Sequence, residues 1–482
     1  MEKLILLRDD PNAPKLGRIA NFLGVDHELV REIPKHPSCM ILPGRHFDER
    51  QAAIKQLPHS VLVYDAGSSR TFSEQLKPYC RRSVTIKVSR ARPDVTTILS
   101  GLSLRTTTAE TVFSSCSDFD PLFTVDNHGV FLSKGRFFLL GSSEVLDIET
   151  IAESDCEPCR EHFIRLMPFA MFIKWVFKER CWHLPTYYAC IIIDDPLLRR
   201  RYGFIDFSKF LAWLRANDLA ATFAFIPWNH SRSDPITTSM FKANSDRLSI
   251  CVHGCDHTGG EFGITDAPRL EAKAKTAITR MARHEKKYGL TYDRVMVFPQ
   301  GKFSKEALTA LMRNGYVAAV NTSVFPTDYD SSLKVRDLLE LAVVLPYGVP
   351  LYRRRYPVEL FDVACDIFFE KPVFIVQHHQ DFRSGFEILL SFIQRLHEIK
   401  PDIKWMPIGT VLAQSFWKKV ENNGSLSVRK LAHEVQEGSC VEMDYGLKER
   451  ARVALRRYLS EFRDNHIDRS RILTSVTKDF QK

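Results

Sequence analysis

The chain has 482 residues, 44% of them hydrophobic and 26% charged, with a formal net charge of +9. That length supports two to three domains with sizeable cores, and the mild positive charge permits attraction to anionic sugars, lipids or nucleotides. No Lys/Arg block with interleaved aromatics occurs, which excludes a nucleic-acid-binding reading, and no run approaches the ~18 apolar residues that a membrane span needs.

In chain order, Lys3–Leu7 reads as a first strand and not as a signal peptide, because its apolar run is short and meets charge at once. Cys39–Leu42, Ser60–Tyr64, Val84–Val88 and Arg136–Leu140 are further β-rich runs, with helical stretches such as Lys15–Leu23 and Asp48–Gln56 between them. The alternation predicts an α/β unit over residues 1–180 with a parallel sheet. No Gly-x-Gly-x-x-Gly follows the first strand, so a dinucleotide fold has no support. Leu166–Ile173, flanked by Arg165 and Lys174, reads as a buried or domain-bridging helix. The 11 cysteines are scattered and odd in number, which fits reduced thiols in a cytoplasmic protein. Cys156-Glu157-Pro158-Cys159 has no second pair at zinc-finger spacing and reads as incidental.

The informative stretch begins at Tyr187. Ala189-Cys190-Ile191-Ile192-Ile193 is an apolar run that reads as a strand buried on both faces, and it ends in Asp194-Asp195-Pro196. Leu198-Arg199-Arg200-Arg201 follows, three arginines able to grip a carboxylate or phosphate or simply to lie in solvent. Phe207–Arg215 is an amphipathic helix and Ala220–Ile226 a strand. Leu248–Val252 is another apolar run, ending in His253-Gly254-Cys255-Asp256-His257. Gly254 and Gly259-Gly260 argue for a loop there, and a loop can bend both imidazoles toward one ion. Asp plus two neutral imidazoles is a plausible Zn²⁺ shell with one position left for water. Asp266–Tyr288 is a long helix. Strands follow at Val295–Phe298, Tyr316–Val320, Ala342–Leu345 and Val373–Val376, with helices at Lys305–Arg313 and Phe386–Ile399. The candidate polar groups fall at strand C-terminal ends, the arrangement of a (β/α) barrel. Beyond about 411 the sequence turns helical and basic, with a break at Asn422–Ser425 and an amphipathic helix over Leu447–Arg463 whose apolar stripe includes Leu455, Tyr458 and Leu459.

Residues 185–410 resemble the polysaccharide deacetylases of the NodB-homology type (carbohydrate esterase family 4). Their first motif is a strand ending in Asp-Asp, matched by Asp194-Asp195, and their second is His-x-x-x-His, matched by His253 and His257. The resemblance implies an irregular (β/α)7 barrel over 181–412; the α/β domain of residues 1–180 precedes it and the helical stretch over 413–482 follows. It implies Asp194 as catalytic base and Asp195, His253 and His257 as ligands of a divalent metal, Zn²⁺ in the first instance. In the family's third motif an Arg orients the base. Here Val297 stands in its place, and Gln300 stands where the family has a Tyr and is the candidate to offer its backbone N–H to the oxyanion. Arg199, Arg200 or Arg201 is the expected substitute for the Arg, and Tyr347 is a further candidate to touch substrate. The last motif, Leu-x-His, is matched by Val376-Gln377-His378, which makes His378 the general acid in preference to His379. Asp256 is expected to hold the outer nitrogen of an imidazole, with Glu261 a weaker candidate. The Asp-x-x-Asp-Trp motif is not found. The implied function is removal of N-acetyl groups from an amino sugar or glycan precursor. The competing readings are a non-catalytic carbohydrate-binding or regulatory protein on the same scaffold, and a metal hydrolase acting on another amide or a glycosidic bond.

Overall fold

The computed structural model describes residues 3–34, 39–56, 60–81, 84–106, 109–328, 332–344, 347–431 and 451–459. Two sheets organise it. The first has eleven strands, and only half of it is parallel. His27–Val30, Leu4–Leu7, Cys39–Pro43, Ser60–Tyr64 and Phe137–Leu140 lie side by side in parallel. Beyond Phe137–Leu140 the sheet turns antiparallel through His128–Lys134, Asp120–Val125, Val84–Val88 and Ser103–Thr106. The parallel sheet expected for the whole unit therefore holds only for its first half. Among the strands not anticipated, Asp120–Val125 and His128–Lys134 are joined by a two-residue turn at Asp126 and Asn127, both at positive φ. That is the turn chemistry of a tight hairpin, which leaves no room for a crossover helix.

The helix Phe163–Phe177 is apolar on nearly every face, and the packing explains why. Tyr64, Phe123 and Phe138 of the first sheet meet it on one side and Phe361 of a barrel helix on another. A helix covered all round has no solvent face to carry polar residues. Its one basic group near the C-terminus, Lys174, donates to the Phe368 carbonyl and to the Glu370 carboxylate, each at 2.6 Å. Among the described residues no helix is long and apolar enough to cross a membrane.

The second sheet is the barrel. Its strands in chain order are β1 (Tyr188–Asp194), β2 (Ala221–Phe225), β3 (Leu248–His253), β4 (Asp293–Val297), β5 (Ala318–Asn321), β6 (Leu351–Arg353) and β7 (Val373–His378). They are parallel, in the spatial order β6-β5-β4-β3-β2-β1-β7. The ring closes just past β6, where Arg355 donates its N–H to the Phe374 carbonyl and accepts from Val376. The result is a nearly closed seven-stranded (β/α) barrel. Lys404–Trp405 pairs with the start of β1. The strand expected at Ala342–Leu345 is only an isolated bridge from Val343 to Leu351, and the barrel strand is β6 instead.

After the barrel helix Ile408–Gln414 the chain forms an antiparallel hairpin, Trp417–Val420 with Leu426–Arg429, so the break at Asn422–Ser425 is its turn. Trp417 donates its indole N–H to the Glu370 carbonyl and packs edge-on against Phe22. Residues 451–459 are helical, as expected. Their inward face is not the apolar stripe: Leu455, Tyr458 and Leu459 are exposed, and Val453 and Arg457 are buried. Leu447 and Phe462 lie outside the described residues.

Candidate active site

The register of the barrel brings the candidate groups to one mouth. Asp194 ends β1 and is directly opposite His378 at the end of β7. His253 ends β3 beside Val297 at the end of β4. Ligand atoms of Asp195, His253 and His257 lie within 4.8 Å of one another. Asp195 Oδ1 is 3.4 Å from Nε2 of His253 and 3.1 Å from Nε2 of His257. That oxygen is buried and accepts no hydrogen bond. His253 Nδ1 is 2.8 Å from the Val297 carbonyl, which can only accept, so the ring proton is on Nδ1 and the Nε2 lone pair of the neutral ring faces Asp195. A carboxylate oxygen and two imidazole nitrogens converging in this way form a donor set suited to a divalent cation such as Zn²⁺. Two of the three groups stand on left-handed backbone, Asp195 at φ +81° and His257 at φ +55°, a strain that clusters at functional sites.

The loop carrying His257 is shaped from beneath. Glu261 Oε1 accepts backbone N–H groups of Cys255, Asp256 and His257 at 2.8, 3.2 and 2.9 Å. Gly254 makes room for this carboxylate: a Cβ there would lie 2.4 Å from Glu261 Oε1 and 2.3 Å from Pro299 Cγ. On the other side, Lys273 of the helix Ala267–Tyr288 reaches Asp256 at 3.1 Å and Glu261 at 3.0 Å, and Arg280 reaches Asp256 at 2.6 Å. All four charges are buried. Burial alone would lower the Lys273 pKa, but Glu261 and Asp256 outweigh it and hold the ammonium charged. Lys273→Met removes a buried cation that both carboxylates touch. We expect a loss of about 3–5 kcal/mol in denaturant unfolding and a weakened metal affinity as the His257 loop loosens.

Asp194 is fixed by a group that the motifs do not predict. Arg354, the residue after β6, donates to both its carboxylate oxygens, at 2.6 and 2.7 Å, with both side chains buried. Burial pushes the Asp194 pKa up, and Arg354 with His253 more than reverses it, so the carboxylate stays ionised. His378 Nε2 is 3.7 Å from the Asp194 carboxylate, and its ring is partly open to solvent. The two imidazoles shift in opposite senses. For His253, burial is outweighed by Asp194 and Asp195 and the pKa rises. For His257, burial and the neighbouring His253 bring it down to about 4, with Arg457 adding in the same direction.

No family model and no curated protein matches the chain. Solved structures do. A carbohydrate deacetylase, Agd3, superposes with a TM-score of 0.50 over 88% of this chain and 90% of its own, at 9% identity. The barrel has the polysaccharide deacetylase fold. The chitin deacetylase of Colletotrichum lindemuthianum (TM-score 0.29, 14% identity, 48% of this chain and 89% of its own) is also similar. So is a family 4 acetyl xylan esterase of Clostridium thermocellum solved with a cobalt ion (0.29, 12%, 47% and 90%).

At the mouth of this barrel Asp194, Asp195, His253, His257 and His378 come together, and Arg199, Arg200 and Tyr347 do not join them. Arg199 and Arg200 are exposed and line a cleft of about 680 Å³ with Arg232 and Asp234; the guanidinium on Asp194 is Arg354's. Tyr347 is buried and donates its hydroxyl to the Val324 carbonyl, a packing role. The Gln300 side chain accepts from Gly260 N–H at 2.9 Å and so ties the β4 loop to the His257 loop. Asp256 is held by Lys273 and Arg280, and the carboxylate that shapes the loop is Glu261. His379 is buried between Tyr202 and Phe204. A sequence signal for Arg354 existed in the run Arg353-Arg354-Arg355. On extended backbone alternate residues face opposite ways. Arg353 and Arg355 both reach Glu157 outside the barrel, which turns Arg354 inward.

Proposed function

We propose that the protein is a metal-dependent deacetylase that removes N-acetyl groups from an amino sugar or glycan precursor. The observation that carries this reading is an ionised Asp194, clamped in two directions by Arg354, beside a carboxylate and two imidazoles that share one point. Asp195, His253 and His257 would hold a divalent cation, zinc in our reading, which would supply Lewis-acid polarisation of a water and of the acyl carbonyl. Asp194 takes the proton of the attacking water. Arg354 keeps it ionised and fixes which lone pairs face the mouth. His378, its Nε2 3.7 Å from the Asp194 carboxylate and its ring partly open to solvent, delivers a proton to the leaving nitrogen. The products are acetate and a free amine. The described cysteines are all free thiols, which supports a reducing compartment and our placement of the reaction in the cytoplasm, on a precursor.

The test is metal content by elemental analysis, beside acetate release from N-acetylated sugars. We expect about one equivalent of metal per chain. We expect His253→Ala/His257→Ala to lose both metal and turnover. A purified protein that takes up no metal with excess zinc, and releases no acetate, overturns the reading.

A further inference from the structure

The helical residues 451–459 lie against the mouth of the barrel with an arginine turned inward. Arg457 is 6% exposed, makes no hydrogen bond or ion pair among the described residues, and leaves its Nε buried without a partner. Its neighbour Tyr458 receives the Arg232 guanidinium over its ring at 4.9 Å. Arg232 in turn lines the 680 Å³ cleft with Arg199 and Arg200, which leave the end of β1 just after Asp195. A buried guanidinium nitrogen with no acceptor is costly, and an anion at that point would remove the cost. Val453, one turn earlier, shares the buried face, while Leu455 and Leu459 of the same helix face solvent.

From this geometry we infer that Arg457 is the anion-binding element of a substrate subsite at the metal-site mouth, so the acetylated sugar taken by this protein carries a phosphate or carboxylate. The guanidinium fork matches either group, and charge-assisted pairs with it are the stronger hydrogen bonds. The inference rests on the deacetylase reading for what the subsite serves, but not for whether an anion binds there.

The experiment is isothermal titration of the metal-loaded full chain with N-acetylglucosamine, N-acetylglucosamine 6-phosphate and N-acetylmuramic acid, repeated on Arg457→Met and Arg457→Lys. We expect at least one of the two anionic sugars to bind about tenfold or more tighter than the neutral one, the worth of one charge-assisted hydrogen bond. Which of them does so assigns phosphate or carboxylate. Arg457→Met should erase that preference and Arg457→Lys keep part of it. The unfolding midpoint of Arg457→Met should stay level or rise, because a buried unpaired charge has been removed. Equal affinity for all three sugars, a preference that survives Arg457→Met, or a lowered midpoint marking Arg457 as a structural group each overturns the proposal. So does a preference lost in His253→Ala/His257→Ala but kept in Arg457→Met, since that places the anion on the metal. Acetate release separates the two readings. An anion preference that depends on Arg457, with no acetate from any sugar, keeps the subsite and sinks the deacetylase.

Discussion

Asp194→Asn keeps its metal and loses turnover by about 10²–10⁴-fold, the usual worth of a positioned acid or base. The amide is nearly isosteric but cannot take a proton from water at neutral pH. None of the three groups converging on the metal position is touched, so metal content should equal that of the parent protein. Stability falls, because an amide NH₂ now faces one arm of the Arg354 fork and the guanidinium loses its counter-charge in a buried position. The cost is about 3–5 kcal/mol. Elemental analysis, acetate release and a denaturant titration read the three quantities. A folded, metal-loaded Asp194→Asn protein with parental turnover refutes the assignment of the base.

Arg354→Met is expected to be as damaging by a different route. Its metal position is intact and its base is present, but the base is no longer held. Asp194 is buried, and burial raises a carboxyl pKa unless a cation compensates. In the parent protein the folded-state pKa is depressed. The pair therefore contributes stability above the unfolded carboxylate range, near pH 4, and that stability is lost as pH falls through the lower folded value. Without Arg354 the folded pKa moves up. The acid limb of the kcat/KM profile then shifts to higher pH, and kcat falls even on its plateau because the carboxylate can turn. A methionine of similar length fills the space, yet the stranded carboxylate still costs about 3–5 kcal/mol. Arg354→Lys restores a charge but not the two-armed geometry, so it should recover much of the stability and only part of the rate. A variant that loses stability with an unmoved pH profile would make Arg354 a packing residue only.

The barrel strands were legible because each is a short apolar run ending in polar groups. Ala189–Ile193 and Leu248–Val252 announce themselves in this way, and both deliver candidate ligands to the mouth. β6 was not, since Leu351-Tyr352-Arg353 is too short and too basic to read as a buried strand. The more apolar stretch just before it took its place in the reading, and with β6 went Arg354. The antiparallel half of the first sheet was missed for a related reason. Part of its pairing joins runs far apart in the chain, as with Val84–Val88 against Asp120–Val125, and a local pattern cannot say which strand a run will join.

Sequence alone determined the chemistry on offer: two adjacent carboxylates at one strand end, two imidazoles at another, a histidine at a third, and a barrel to carry them. The tertiary structure decided which charges meet. It assigned Asp194 to Arg354 rather than to the arginines beside it, gave Asp256 to Lys273 and Arg280, set Glu261 beneath the His257 loop, and buried Arg457 instead of a leucine stripe. The reason is that a buried charge is stable only beside its partner, and the partner is chosen by which strand ends and helix faces converge in space, a relation that no spacing along the chain encodes.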